Sequence, residues 1–90
     1  MTVLLVTYEL KTPGKDYTSF YNAIKSGGEW WHFLEAVWLV DSTTHNADTL
    51  AKSLYPHITQ QDRLMVVALA GGHQGWLPEA AWTWINNRKF

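Results

Sequence analysis

Val3 to Leu10, VLLVTYEL, place apolar side chains on both alternating faces, the pattern of a strand buried on two sides in a sheet. Glu9 interrupts the run at its far end, and Lys11-Thr12-Pro13-Gly14-Lys15 stops the strand. Asp16 can cap a helix from Tyr17 to about Ser26, with Tyr17, Phe20, Tyr21 and Ile24 forming one stripe at i, i+3, i+4 and i+7. Gly27-Gly28 is expected to end it through a left-handed cap. Glu29–Leu34 and Ala36–Asp41 read as two strands of a hairpin, with Trp38 and Val40 on one face and Val37 and Leu39 on the other. A polar loop at 42–45 leads to Asn46, which can cap a second helix with Ala47, Leu50, Ala51, Leu54 and Ile58 as its stripe; Pro56 lies inside that spacing and stops the helix near Leu54 or Tyr55. Arg63–Ala70, RLMVVALA, is a second run apolar on both faces, followed by the glycine-rich break 71–75. Pro78 and Glu79 open a short last helix with Ala81, Trp84, Ile85 and Arg88 facing inward.

The order strand, helix, strand, strand, helix, strand, helix predicts an α+β fold. It matches the split βαβ, ferredoxin-like βαββαβ sandwich with a short C-terminal helix. The two doubly apolar strands, the first and the fourth, are expected side by side in the middle. Ninety residues form a single domain, 1–90, that folds alone with little to spare, so pairing with a second copy would help.

Seven basic against eight acidic residues give a net charge of −1, which argues against broad, non-specific binding to duplex nucleic acid. Lys11 and Lys15 flank one loop, and Arg88 with Lys89 reads as solvated surface. The absence of cysteine removes disulfides, zinc–thiolate sites and thiol nucleophiles. No leader is expected after Met1 and no run reaches the ~20 apolar residues of a membrane span, so the expectation is a soluble, cytoplasmic protein.

Six tryptophans, Trp30, Trp31, Trp38, Trp76, Trp82 and Trp84, are the main compositional anomaly. Indoles build small cores and interfaces, and they also stack on bases. His32, His45, His57 and His73 lack metal-ligand spacing. His73 stands in a glycine-rich loop between strand and helix, a setting that can offer backbone donors to phosphate or serve only as a mobile connector. The candidate binding residues are Tyr8, Lys11, Lys15, Trp31, Trp38 and His73. Glu9 either marks where the strand meets water or holds a ligand or metal.

Tyr8-Glu9-Leu10, Pro13-Gly14-Lys15-Asp16-Tyr17, Trp30-Trp31-His32, Ala36-Val37-Trp38, Asp62-Arg63-Leu64 and Trp84-Ile85 together resemble the SinR-like family of small prokaryotic and phage proteins. That family is related to CRISPR-associated protein 2, an adaptation nuclease. The resemblance implies a ferredoxin-like homodimer in which two sheets meet and a defence or counter-defence setting. It also implies RNA, DNA, a nucleotide or a larger defence-system protein as partner. For the nuclease relatives it implies that Glu9 of both subunits is the catalytic and metal-ligating position, holding Mg2+ or Mn2+. Glu9 stands where the family has Asp, and Ala36-Val37 replaces its Ser-Thr, so a binding module is the first expectation and a metal-dependent endonuclease the second. A structural dimer without a small ligand is the third.

Overall fold

A computed structural model describes residues 2–90; the reading of Met1 lies outside them. The described residues form a small α+β molecule with one four-stranded antiparallel sheet and three α-helices. The strands are β1 (Thr2–Glu9), β2 (Glu29–Leu34), β3 (Val37–Ser42) and β4 (Arg63–Ala68). The helices are α1 (Thr18–Lys25), α2 (Ala47–Leu54) and α3 (Glu79–Asn86), with a 3-10 turn at Tyr55–His57 where Pro56 prevents α2 from continuing.

The sheet order is β2-β3-β1-β4, and every neighbouring pair runs antiparallel. β1 and β4 are adjacent, but the central pair is β1 and β3; β4 forms an edge, which corrects the expectation that the first and fourth strands fill the middle. The apolar run of β4 hid this because Met65 and Val67 are exposed, not covered by a helix of the same chain.

One face of the sheet carries Leu4, Val6, Trp38 and Val40 under α1 and α2, whose Phe20, Ile24, Leu50 and Leu54 are fully buried. Each such side chain contributes about 1.5–3 kcal/mol of burial free energy. The other face carries Val3, Trp31 and Leu39 beneath Ala81 and Ile85 of α3. Among the described residues no helix is long and apolar enough to cross a membrane.

The cap expected for the second helix is met in detail. Asn46 caps α2 by accepting from the Thr49 N–H at 2.8 Å, while the Thr49 hydroxyl accepts from the Asn46 N–H at 3.0 Å. Asp16 departs from the expected cap: α1 begins at Thr18 with Tyr17 as its N-cap and no side chain capping it, and the Asp16 carboxylate instead accepts from the Thr18 N–H (2.9 Å) and hydroxyl (2.6 Å) one residue further out. The Gly27-Gly28 pair differs from expectation, since neither residue has a positive φ. Its smallness serves packing: a Cβ on Gly28 would lie 2.2 Å from the Asp41 carbonyl oxygen.

Candidate functional site

Alternation along β1 puts Thr7 and Glu9 on the same sheet face as Val3 and Leu5, the face that α3 covers. α3 reaches only one end of it. At the other end Glu9 is exposed, opposite Arg63 of β4; along the same face the exposed Met65 and Val67 stand opposite Thr7 and Leu5. Thr7, Tyr8, Glu9, Arg63, Leu64 and Met65 line a hollow of about 250 Å³ there. The Glu9 carboxylate lies 3.8 Å from the Lys11 ammonium. One carboxylate beside the Lys11 ammonium does not suit a divalent ion, the Arg63 guanidinium donating instead to the carbonyls of Gln60, Gln61 and Asp62, and among the described residues no group of three or more His, Asp or Glu side chains could hold one. The residues of a single chain therefore do not fit Mg2+ or Mn2+.

The other predicted residues fall in separate places. Tyr8 is half-buried on the α1/α2 face, its hydroxyl accepting from Trp38 Nε1 (3.0 Å) and donating to the Glu35 carbonyl (3.2 Å). Burial raises its phenol above the ordinary value, partly offset by the Trp38 bond. Trp38 is buried alongside it. Trp31 is a core residue under α3, with Nε1 donating to the Ala81 carbonyl at 3.2 Å, so its ring is closed to a ligand. The Lys15 ammonium stands 5.4 Å from the Tyr17 ring centre. His73 is exposed on the α3 side, its ring 4.8 Å from Phe90 and 6.3 Å from Trp82. Gly71 and Gly72 of its loop take positive φ values of 92° and 71°, which only glycine adopts freely. The fold thus joins Tyr8 to Trp38 and Glu9 to Lys11, while Trp31 and His73 lie on the opposite face from Tyr8 and Trp38.

Three groupings carry no linear spacing signal. The first centres on Asp62, a buried acid just before β4. It accepts from the Lys11 N–H at 2.7 Å and the Thr59 N–H at 2.9 Å, and the Tyr17 hydroxyl lies 2.8 and 2.9 Å from its two oxygens. Burial pushes its carboxyl up, but the bonds from Thr59, Lys11 and Tyr17 outweigh that and hold it at about 2. The second is a pair of acids, Glu29 and Asp41, facing each other across β2 and β3 and both held by the Arg88 guanidinium, 3.0 Å from Asp41 Oδ2. Arg88 is thus largely buried rather than solvated, and Asp41 Oδ1 is buried with no partner among the described residues. The third is a hollow of about 200 Å³ lined by Tyr21, Lys25, His32 and Trp38, between α1 and the β2–β3 hairpin.

No protein family, curated relative or solved structure matches this chain.

Proposed function

We propose that this protein is a homodimeric binding module with a ferredoxin-like βαββαβ sandwich, of the SinR-like group related to CRISPR-associated protein 2. In a defence or counter-defence setting it holds nucleic acid, a nucleotide or a protein partner. The element order and the β2-β3-β1-β4 order with antiparallel neighbours support the ferredoxin-like reading.

The observation that carries the dimer is the half-open sheet face. Met65 is 58% exposed and Val67 38%, with Phe33 and Leu34 also exposed on the hairpin, an apolar surface that a monomer of this size gains by covering. Glu9 and Arg63, one acid and one base, stand together on its rim. A two-fold axis brings each residue of a patch against its copy's counterpart patch, so a rim carrying both signs is self-complementary. Light scattering at micromolar concentration is expected to give twice the 10.3 kDa chain mass, and Met65→Glu to return it to 10.3 kDa while the far-ultraviolet circular dichroism stays unchanged. A wild-type mass of one chain overturns the dimer.

A second reading, a metal-dependent endonuclease using Glu9 of both subunits, is favoured by one observation: Glu9 lies on the open face, where a second copy could bring up its own Glu9. Labelled single- and double-stranded RNA and DNA, incubated with magnesium, manganese or chelator, separate the two readings. The binding module yields shifted, intact substrate, and Glu9→Gln behaves like wild type. Metal-dependent cleavage that Glu9→Gln abolishes establishes the nuclease instead.

A further inference from the structure

We propose that the hollow between α1 and the β2–β3 hairpin is a stacking site for a nucleobase, with Lys25 receiving the phosphate attached to it. This rests on the binding reading above and names its ligand class.

His32, on edge strand β2, is exposed, yet its ring is held in place from two directions. It lies flat on Trp38, with ring centres 3.7 Å apart and planes 12° from parallel. Its Nε2 is 2.9 Å from the Glu35 carbonyl oxygen, which can only accept, so Nε2 donates and ties the ring to the hairpin turn. Trp38 is itself anchored through the indole N–H to the Tyr8 hydroxyl and stacks with Tyr21 at 6.1 Å. An exposed aromatic face whose orientation is fixed before anything binds loses little entropy when a planar ligand settles on it.

The remaining parts agree with that ligand. Trp30 is 45% exposed and tilts against Trp38 at 5.4 Å, widening the aromatic surface. The Lys25 ammonium lies 5.1 Å from the Trp30 ring centre and 6.0 Å from that of Trp38, and it makes no ion pair among the described residues. Aromatic faces beside an unpaired cation are the combination that holds single-stranded nucleic acid, through base stacking and phosphate attraction without sequence readout. One lysine with one fixed ring also accommodates the overall −1 charge, because stacking rather than a broad basic surface supplies the contact. A free nucleotide presents the same base and phosphate, so the two sources are separated by experiment.

Fluorescence anisotropy of labelled oligo-dT and oligo-dA of about ten nucleotides, a length within the usual span of such sites, tests the assignment. Wild type is expected to bind both. His32→Ala weakens binding about tenfold, the loss typical of one stacked base, while His32→Phe, which keeps the flat ring, retains most of it. Lys25→Ala weakens binding and reduces the slope of log affinity against log salt by about 0.7, the share of one phosphate contact on a single strand. Trp76→Ala, at a fully exposed ring outside the hollow, leaves binding unchanged. Competition by adenosine monophosphate identifies a nucleotide as the source, and its failure to compete identifies the strand. Equal binding by wild type and His32→Ala overturns this site while leaving nucleic-acid binding elsewhere on the protein. No binding of any oligonucleotide or nucleotide overturns it together with the nucleic-acid branch of the broader reading, leaving a protein partner.

Discussion

Replacing Asp62 with asparagine is expected to lower the thermal midpoint at pH 7 by on the order of 10 °C and to flatten the loss of stability between pH 4 and pH 2. Asp62 collects donors from three segments distant in sequence: the loop after β1 through the Lys11 N–H, the start of α1 through the Tyr17 hydroxyl, and the turn before β4 through the Thr59 N–H. A carboxylate accepts from all of them at once. An asparagine offers one oxygen, and its amide N–H2 must face a donor, which leaves a backbone N–H without a partner. The pH dependence follows from the carboxyl at about 2, against an ordinary value of about 3.9 in an unfolded chain. Above about pH 5 the group is ionised in both states and its stabilisation is fully present. As pH falls from about 5 toward 2 the unfolded chain takes up the proton first, so stability declines across that window, most steeply below pH 4. Asp16 also titrates low, through its bonds from the Thr18 hydroxyl and N–H, and keeps a smaller dependence in the variant because it stands in water. Thermal unfolding of both proteins from pH 2 to 7 checks the expectation. Equal midpoints at pH 7 would show that the three segments hold together without Asp62.

That network also shows where a linear reading stops. Elements were legible because each has a local cause: Asn46 caps α2, Pro56 ends it, and Pro78 precedes α3. Partners of Asp62 lie 45 and 51 positions away, at Tyr17 and Lys11, and no spacing rule links them. The placement of β4 failed for a different reason. An apolar residue on a strand signals that a face is to be covered, not by what, so exposed Met65 and Val67 read the same as a core pair. Trp30 and Trp31 show what alternation can and cannot supply. Neighbours on a strand must point to opposite faces, so the two indoles had to differ, but only the position of α3 makes Trp31 the buried one. Trp38 is a candidate from its residue type alone, but its stacking with His32 has no spacing signal, because β2 and β3 shift register between Trp31 and Leu34 and the hairpin contains no glycine to mark that irregularity.

Gly28→Ala is the second large effect, and it follows from space alone. Gly28 has no positive φ, so alanine meets no conformational barrier there. Its Cβ, however, would sit 2.2 Å from the Asp41 carbonyl oxygen, 2.9 Å from the Asp41 carbonyl carbon and 3.1 Å from Ser42 Cα. All three are backbone atoms of a central strand, so nothing flexible can give way, and the start of β2 must lift from β3. Glu29 is the next residue, and it shares Arg88 with Asp41, so the same displacement loosens the ionic tie between the sheet and the end of α3. The expected cost is about 2–3 kcal/mol, a fall in midpoint of roughly 10–20 °C. Two other glycines set the scale. Gly14→Ala has open space but a φ of 79°, and the left-handed conformation alone costs about 1–2 kcal/mol. Gly75→Ala meets nothing within 4 Å and has an ordinary φ, so its effect stays within about 0.5 kcal/mol. Chemical unfolding of the three variants should rank them Gly28, Gly14, Gly75 from most to least destabilised. A Gly28→Ala protein as stable as Gly75→Ala would mean that β2 does not approach β3 as closely as the Gly28–Asp41 contact requires, and the seating of the hairpin that carries His32 and Trp38 would have to be redrawn.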